Sequence, residues 1–392
     1  MNISGVVPLD EESLLSAAQR ATGLSDFGRD DWREPFRIFI RSLEEESELN
    51  LMGRIRTRSE ILQLLEARLQ IEDAYRRHPE IADERIEKPI IVVGQGRSGT
   101  SFLLNLLSED PDNGVIRIWE TIYPCPPPEK ATYLTDPRIE RAHQAITQWN
   151  RVTPEFATMH EFGGAIPAEC SPVIAMNFMS ISWLACFGQV PAYESYMAAQ
   201  PVEPALRYHQ RVLKLLQWKN PRRRWVLKDP MHLDRLEALL KLYPDACFVW
   251  PHRDPVKALA SVVSSMGTVQ WGRSDHPFKN NSLDIGLDPD IVGARFNAII
   301  DKIESGDVPK DRLFNVLYRD LIDDPIGTIA ALYRYFDIEF TGKAREAIAA
   351  YCERNPRGAR ATHRVGSAAQ EDVEYERRAL RRYQDYFGIP DE

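Results

Sequence analysis

The sequence predicts an α/β protein in which a parallel sheet is flanked by helices. Three apolar runs, at 225–227, 246–250 and 313–317, have the length and composition of buried strands. Each is followed within a few residues by an Asp-Pro pair: Asp229-Pro230, Asp254-Pro255 and Asp324-Pro325. Asp is a favoured helix N-cap, and Pro is favoured at the first helical position. Strand, short loop and capped helix in repetition are typical of a parallel sheet with helical crossovers.

The chain is predicted to divide into two parts. Residues 1–87 should form a helical region packed on the core, and residues 88–392 the α/β domain. A segment at about 121–215 is expected to cover the substrate. Its apolar and aromatic stretch at 160–215 indicates helical core or, alternatively, the wall of a substrate pocket.

Local patterns support both parts. In the N-terminal region, leucines recur at steps of three and four, as on one buried helix face: Leu62, Leu65 and Leu69. The run 90–93 is short, β-branched and bounded by Pro and Gly, which predicts a buried strand. Residues 102–107 should follow as a mostly buried helix.

Composition excludes several classes of protein. The 392 residues are 43% hydrophobic with a formal net charge of −9, so a nucleic-acid partner is not expected. No apolar run approaches the roughly 18–20 residues of a membrane span, and the start lacks the pattern of a cleaved signal. The five cysteines form no CxxC pair, which argues against disulfides and structural zinc. We therefore expect a cytoplasmic protein; the sequence gives no indication of its oligomeric state.

A glycine-rich loop at 94–101 (Gly-Gln-Gly-Arg-Ser-Gly-Thr-Ser) follows the first strand. It fits the glycine spacing of the P-loop pattern G-x-x-x-x-G-K-[ST], but Thr100 stands at the lysine position. Backbone N–H groups and a helix N-terminus favour phosphate binding there, whereas ATP hydrolysis fits poorly. Arg97 supplies a permanent cation that binds phosphate or sulfate in a bidentate way. The alternative is an ordinary tight turn.

Two segments resemble signatures of the sulfotransferases that use 3′-phosphoadenosine 5′-phosphosulfate (PAPS). The run Gly-Arg-Ser-Gly-Thr-Ser at 96–101 is similar to the family's loop for the 5′-phosphosulfate. The run 252–261 is similar to its second signature, in which an arginine at a strand end and a serine eight residues later bind the 3′-phosphate. The resemblance assigns these roles to Arg253 and Ser261. Ser261 is predicted to lie about two turns along the capped helix.

Further segments extend the resemblance over about 88–340. Trp-Val-Leu-Lys at 225–228 looks like the bacterial sulfotransferase group and the tyrosylprotein sulfotransferases, in which this lysine assists transfer. Glu120 is placed like the catalytic-base glutamate of the latter, and burial beside Trp119 would raise its pKa. Tyr318 begins a segment similar to one that contributes to the nucleotide site.

The resemblance implies transfer of a sulfuryl group from PAPS to a hydroxyl of a small acceptor, with release of 3′-phosphoadenosine 5′-phosphate (PAP). It implies no catalytic metal. The apolar stretch at 171–200 favours an apolar or phenolic acceptor over a polyanionic glycan. The candidate catalytic residues are Arg97, Glu120, Lys228 and His160. The candidate donor-binding residues are Gly96, Arg97, Ser98, Gly99, Thr100, Ser101, Arg253, Ser261 and Tyr318.

The sequence leaves the identity of the general base open. Glu120 competes with His160, Glu161 and Glu169, and it has a structural alternative as a helix cap or salt-bridge partner. Two other histidines receive supporting roles: His232 near Lys228, and His252 as a structural residue at a strand end.

Some residues depart from the family pattern. Gly96 replaces the usual proline before the loop arginine, which should loosen the loop, and Ser101 replaces the commoner threonine. The basic segment 357–364 matches the family's terminal phosphate-binding segment poorly, and its alternative is a solvated loop.

The competing functions are a P-loop kinase or other phosphotransferase, and a catalytically inactive nucleotide-binding scaffold.

Overall fold

A computed structural model describes residues 3–276, 287–356 and 370–392. The chain forms two compact units, each assembled from three stretches. One unit comprises Met1–Arg85, Ile116–Pro221 and Met266–Leu283, and the other comprises Ile86–Val115, Arg222–Ser265 and Asp284–Glu392.

The second unit contains a parallel five-stranded sheet, which confirms the predicted α/β class. Its strands are β1 (Ile90–Val92), β2 (Asn113–Val115), β3 (Arg224–Lys228), β4 (Cys247–His252) and β5 (Leu313–Leu317). They lie in the order β2-β3-β1-β4-β5. Val92, at the end of β1, pairs with Lys228 of β3 and Val249 of β4. The carboxyl ends of these three strands therefore meet at one edge, where ligands bind in open sheets of this kind.

Helices cover both faces of this sheet, as the alternating side chains of β4 show. Val249 belongs to an apolar cluster with Leu103 and Leu332, whereas Trp250 on the opposite face contacts Phe296 and Tyr383. The helices are Thr100–Ser108, Leu236–Leu242, Pro255–Trp271, Pro289–Ser305, Tyr318–Asp323, Pro325–Tyr335, Gly342–Arg354 and Gln370–Phe387. Short 3₁₀ helices span Pro230–Arg235 and Lys310–Arg312.

The three Asp-Pro pairs cap helices as predicted. The carboxylates of Asp229, Asp254 and Asp324 accept backbone N–H groups at 2.8, 3.0 and 2.9 Å. The first cap begins a 3₁₀ helix, and the other two begin α-helices. Each cap fixes the turn that leaves the carboxyl edge of the sheet.

The first unit is helical, with a buried aromatic centre. Its helices are Ile3–Val6, Glu11–Thr22, Arg33–Glu46, Leu51–Arg77, Ile118–Ile122, Pro137–Thr147, Trp149–Val152, Ser171–Ala175, Ile181–Leu184, Pro191–Ala198 and Glu203–Trp218. Its 3₁₀ helices are Asp30–Trp32, Pro79–Asp83, Tyr133–Thr135, Pro154–Thr158 and Ala185–Phe187. Phe178 packs on Phe36, 4.7 Å between ring centroids, and Tyr193 packs on Phe39 at 5.2 Å.

The helical N-terminal region is confirmed. In the helix Leu51–Arg77, Leu65 and Leu69 are buried and Leu62 is half-buried, on the predicted face. Part of the stretch 160–215 is broken into short helices, since prolines and glycines interrupt it. In the part of the chain that the structure describes, no helix has both the length and the apolar character needed to cross a bilayer.

Candidate active site

The glycine-rich loop connects β1 to the helix Thr100–Ser108 in a strained conformation. Gly94, Arg97 and Gly99 have positive φ angles of 117°, 70° and 96°. A Cβ on Gly99 would lie 2.8 Å from the ring of Tyr318, so both backbone and space require glycine there. For Arg97, which carries a Cβ, the left-handed conformation costs on the order of 1 kcal/mol. Gly96, where the family has proline, has no positive φ.

The Ser98 hydroxyl group anchors the loop to itself. Ser98 is buried, and its Oγ donates to the carbonyl of Gln95 at 2.7 Å. Thr100 is also buried at the start of the helix, whereas Ser101 is exposed. Gly99 is the residue before the helix, and no side chain caps it, so the first helical N–H groups face the loop. This arrangement suits an anion.

Arg97, Ser261 and Arg253 form one connected group. The Nε of Arg97 donates to Ser261 Oγ at 3.0 Å. The Nη1 of Arg253 donates to the backbone carbonyl of Arg97 at 3.3 Å. The structure thus places the Arg253 guanidinium against the backbone of Arg97 at the carboxyl edge of the sheet, with Arg97 in the loop after β1 and Arg253 directly after β4.

The two arginines are close enough to affect each other electrostatically. Burial and then the positive charge of Arg253 lower the pKa of Arg97. Two neighbouring guanidinium groups repel each other, and negative charge bound beside them relieves the repulsion. The arrangement is therefore an anion-binding site with two cationic positions.

Tyr318 and Lys228 complete the described edge of the sheet. The Tyr318 ring lies beside Gly99, and the guanidinium of Arg253 stacks on it at 4.6 Å from the ring centroid. Lys228 ends β3 opposite Val92 and is 2% exposed. Both residues belong to the same unit as the loop. His232 is buried in the 3₁₀ helix that follows Lys228.

Glu120 lies in the other unit, in the helix Ile118–Ile122. Its side chain is fully buried, and its Oε2 accepts the backbone N–H of Arg117 at 2.8 Å. This contact is half of a capping box, so the helix-cap role considered for Glu120 is present. Glu120 thus has a structural contact in addition to its candidate role as base.

The rival bases belong to the same unit as Glu120. His160 is exposed and stacks on Phe162 at 5.2 Å between ring centroids. Glu161 is exposed and Glu169 is half-buried. Burial distinguishes Glu120 from all three. The Glu120 side chain is fully buried, whereas the other three are exposed or half-buried and are therefore solvated more strongly.

His252, assigned from the sequence to a structural role, is buried in a hydrogen-bond network. Its Nδ1 lies 2.9 Å from the Tyr383 hydroxyl, and its Nε2 lies 2.9 Å from Asn315 Oδ1. Because Asn315 Oδ1 can only accept, Nε2 carries the proton and Nδ1 accepts from Tyr383. Burial lowers the pKa of His252 to about 3, so the ring is neutral at pH 7.

We expect His252 to make the protein less stable in acid. Its folded-state pKa lies below the unfolded value of about 6.5, so its contribution is complete above that pH and is lost as the pH falls toward 3. At pH 5 the loss is about 2 kcal/mol. Urea unfolding at pH 7.5 and 5.0 should show a smaller pH-dependent loss for His252→Gln than for the wild type. Exposed His143 provides the control variant His143→Gln; equal losses in all three proteins would contradict the assignment.

One contact was not predicted from the sequence. The Glu392 carboxylate accepts from Nε and Nη2 of Arg253 at 2.9 and 2.8 Å. Burial lowers the pKa of Arg253, but the hydrogen bonds to Glu392 and the electrostatic attraction of Glu392, Tyr318 and Asp254 together outweigh it and raise the pKa of this guanidinium. No local sequence pattern links two residues so far apart.

The basic segment 357–364 lies outside the described residues. Within the ranges 3–276, 287–356 and 370–392, no group of three or more His, Cys, Asp or Glu side chains has an arrangement suited to a metal ion.

The fold and the site together define a class. A parallel sheet carries a glycine-rich anion loop between its central strand and a helix, with arginines at the same edge. These are the features of an α/β protein of the P-loop type, in which Thr100 replaces the usual lysine.

The chain belongs to the sulfotransferase family, as the resemblance implied. The family's sequence profile, "Sulfotransferase family", matches residues 89–342. The Mycobacterium bovis protein "Omega-hydroxy-beta-dihydromenaquinone-9 sulfotransferase Stf3" is 27% identical over 263 residues, 64% of this chain and 63% of that relative. The chain thus spans less than two thirds of this relative's length.

Two solved structures match nearly the whole chain. Sulfotransferase STF1 from Mycobacterium tuberculosis H37Rv has a TM-score of 0.79 and 29% identity, covering 95% of this chain and 98% of its own. Sulfotransferase STF9 from Mycobacterium avium has a TM-score of 0.81 and 24% identity, covering 97% of both chains. The latter similarity shows the fold alone.

Proposed function

We propose that the protein transfers a sulfuryl group from PAPS to a hydroxyl of a small apolar or phenolic acceptor and releases PAP. The observation that carries this proposal is the connected group Arg97, Ser261 and Arg253 beside the glycine-rich loop. Two anion positions at one sheet edge suit a ligand with phosphates at both ends of a nucleoside. Membership in the sulfotransferase family supports the same donor.

The described residues fit such a donor. The backbone of the loop, with Ser98, Thr100 and Ser101, would hold the 5′-phosphate at the helix N-terminus. Arg253 and Ser261 would hold the 3′-phosphate, with the guanidinium oriented by the Tyr318 ring.

PAPS, when bound, supplies the sulfuryl group. Arg97 and Lys228 stabilise the negative charge that develops on the leaving phosphate, because fixed cations act strongly in a partly dehydrated site. Glu120 accepts the proton of the acceptor hydroxyl, with His160 as the alternative base. By analogy with phosphoryl transfer, positioning and charge stabilisation carry most of the rate enhancement.

The acceptor class is supported by an apolar cluster in the first unit. Ile146, Met159, Phe162 and Cys186 are partly buried and pack against Val269. Partly buried apolar side chains offer a surface that an apolar molecule covers favourably. The M. bovis relative is named for a hydroxylated menaquinone, itself an apolar alcohol. We therefore propose a lipophilic alcohol or phenol as the acceptor.

Binding and turnover measurements test this function. Calorimetry should show that PAP binds and that ATP with magnesium does not, because the lysine of the P-loop pattern is replaced by Thr100. Labelled PAPS should give a sulfated product with a panel of lipophilic alcohols and phenols. Tight ATP binding with indifference to PAP would instead indicate a kinase. PAP binding without turnover on any acceptor of the panel would indicate an inactive scaffold.

A further inference from the structure

A carboxylate of the protein itself lies on the guanidinium of Arg253. Nε and Nη2 of this arginine both donate to Glu392 Oε2, at 2.9 and 2.8 Å, and Nε also approaches Oε1 at 3.2 Å. The remaining nitrogen, Nη1, donates to the carbonyl of Arg97. The carboxylate thus uses the two-donor edge with which a guanidinium binds phosphate.

The segment 388–392 is folded back to make this contact. Gly388 has a φ of 64°, which reverses the chain after the helix Gln370–Phe387. Ile389 is buried and its N–H donates to the carbonyl of Gln384 at 2.9 Å. The segment is therefore seated on the helix before it reaches Arg253.

A second set of contacts holds the segment beside Arg253. The backbone N–H of Glu392 donates to Asp254 Oδ2 at 2.8 Å. Arg377 links Asp254, at 2.6 Å, to Asp391, at 2.9 Å. The position of Glu392 thus depends on the Asp254 carboxylate, which also caps the helix Pro255–Trp271.

We propose that Glu392 is an internal competitor for the anion site of Arg253, so that the donor's 3′-phosphate binds only after Glu392 leaves. This inference rests on the proposed function, which gives Arg253 that phosphate. The side chains of Arg253 and Glu392 are 27% and 35% exposed. An ion pair as accessible as this is weak enough for a phosphate to displace it. The segment therefore lowers donor affinity without blocking the loop.

The test compares two nucleotides on three proteins. PAP carries a 3′-phosphate, whereas adenosine 5′-monophosphate lacks it and uses only the loop. Calorimetry at low salt should show that Glu392→Gln binds PAP about fivefold more tightly than the wild type, with no change for adenosine 5′-monophosphate. Exposed Glu339 provides the control variant Glu339→Gln, which changes the net charge equally; it should leave both affinities unchanged.

The outcomes separate this inference from the proposed function. PAP binding that is equal in the wild type and Glu392→Gln, or weaker in the variant, overturns the competitor role while the proposed function stands. A gain that is equal for both nucleotides also overturns it, since the effect is then not at the 3′-phosphate. If neither the wild type nor the variant binds PAP, the proposed function fails, and the inference fails with it.

Discussion

The variant Lys228→Met is expected to lower kcat about a thousandfold. Lys228 ends β3 directly beside the end of β1, from which the anion loop starts, and its side chain is 2% exposed. We assign its ammonium group to the charge that develops on the leaving phosphate. Methionine has a similar length and is apolar, so it fills the buried position without the cation. The kcat for labelled PAPS at saturating acceptor measures the effect.

The affinity for PAP should change far less than kcat, because the interaction is strongest in the transition state. Exposed Lys241, in the helix Leu236–Leu242 of the same unit, gives the control Lys241→Met with normal kcat. Thermal unfolding of Lys228→Met establishes that the variant is folded. A folded Lys228→Met with near-normal kcat would show that the lysine is structural.

The sheet was predictable because its strands carry local signals. The run 90–93 and the runs 225–227 and 246–250 are apolar and continuous, as strands buried on both faces require. The run 313–317 forms the edge strand β5, in which Asn315 is exposed and Phe314 is half-buried, so it is less buried than its sequence predicts. Each Asp-Pro pair marks a cap close to its strand. The strand β2 was not predicted. It is only Asn113-Gly114-Val115, and Asn and Gly are unfavourable in strands, so its conformation comes from pairing with β3.

The sequence predicts only those parts of the candidate site that lie in contiguous motifs. The loop at 94–101 and the eight-residue spacing from Arg253 to Ser261 are local patterns, whereas the hydrogen bond from Arg97 to Ser261 joins residues 164 positions apart. Glu392 lies 139 positions from Arg253. No sequence motif marks Glu392 as a partner of Arg253, because the contact depends on the turn at Gly388 and on Asp254. The sequence does not encode such a contact locally.

The variant Glu120→Gln is expected to lower kcat about a thousandfold, within the range for loss of a general base. The substitution replaces the basic carboxylate with a neutral amide of nearly the same size. Glu120 accepts the Arg117 N–H through one oxygen, and the amide oxygen of glutamine accepts the same bond, so the capping box is kept. Thermal unfolding of Glu120→Gln establishes that the variant is folded while turnover is lost.

The rival base makes the comparison decisive. His160 is exposed and stacks on Phe162, so His160→Ala should remove an aromatic contact and leave kcat within a few-fold of normal. Glu169→Gln, at a half-buried carboxylate, serves as the matched charge control.

The pH profile of kcat/KM adds a readout that a structural role does not change: the acidic limb should disappear in Glu120→Gln and persist in His160→Ala. Normal turnover in Glu120→Gln with loss in His160→Ala would assign the base to His160, and burial of a carboxylate would then be no guide to the base in this protein.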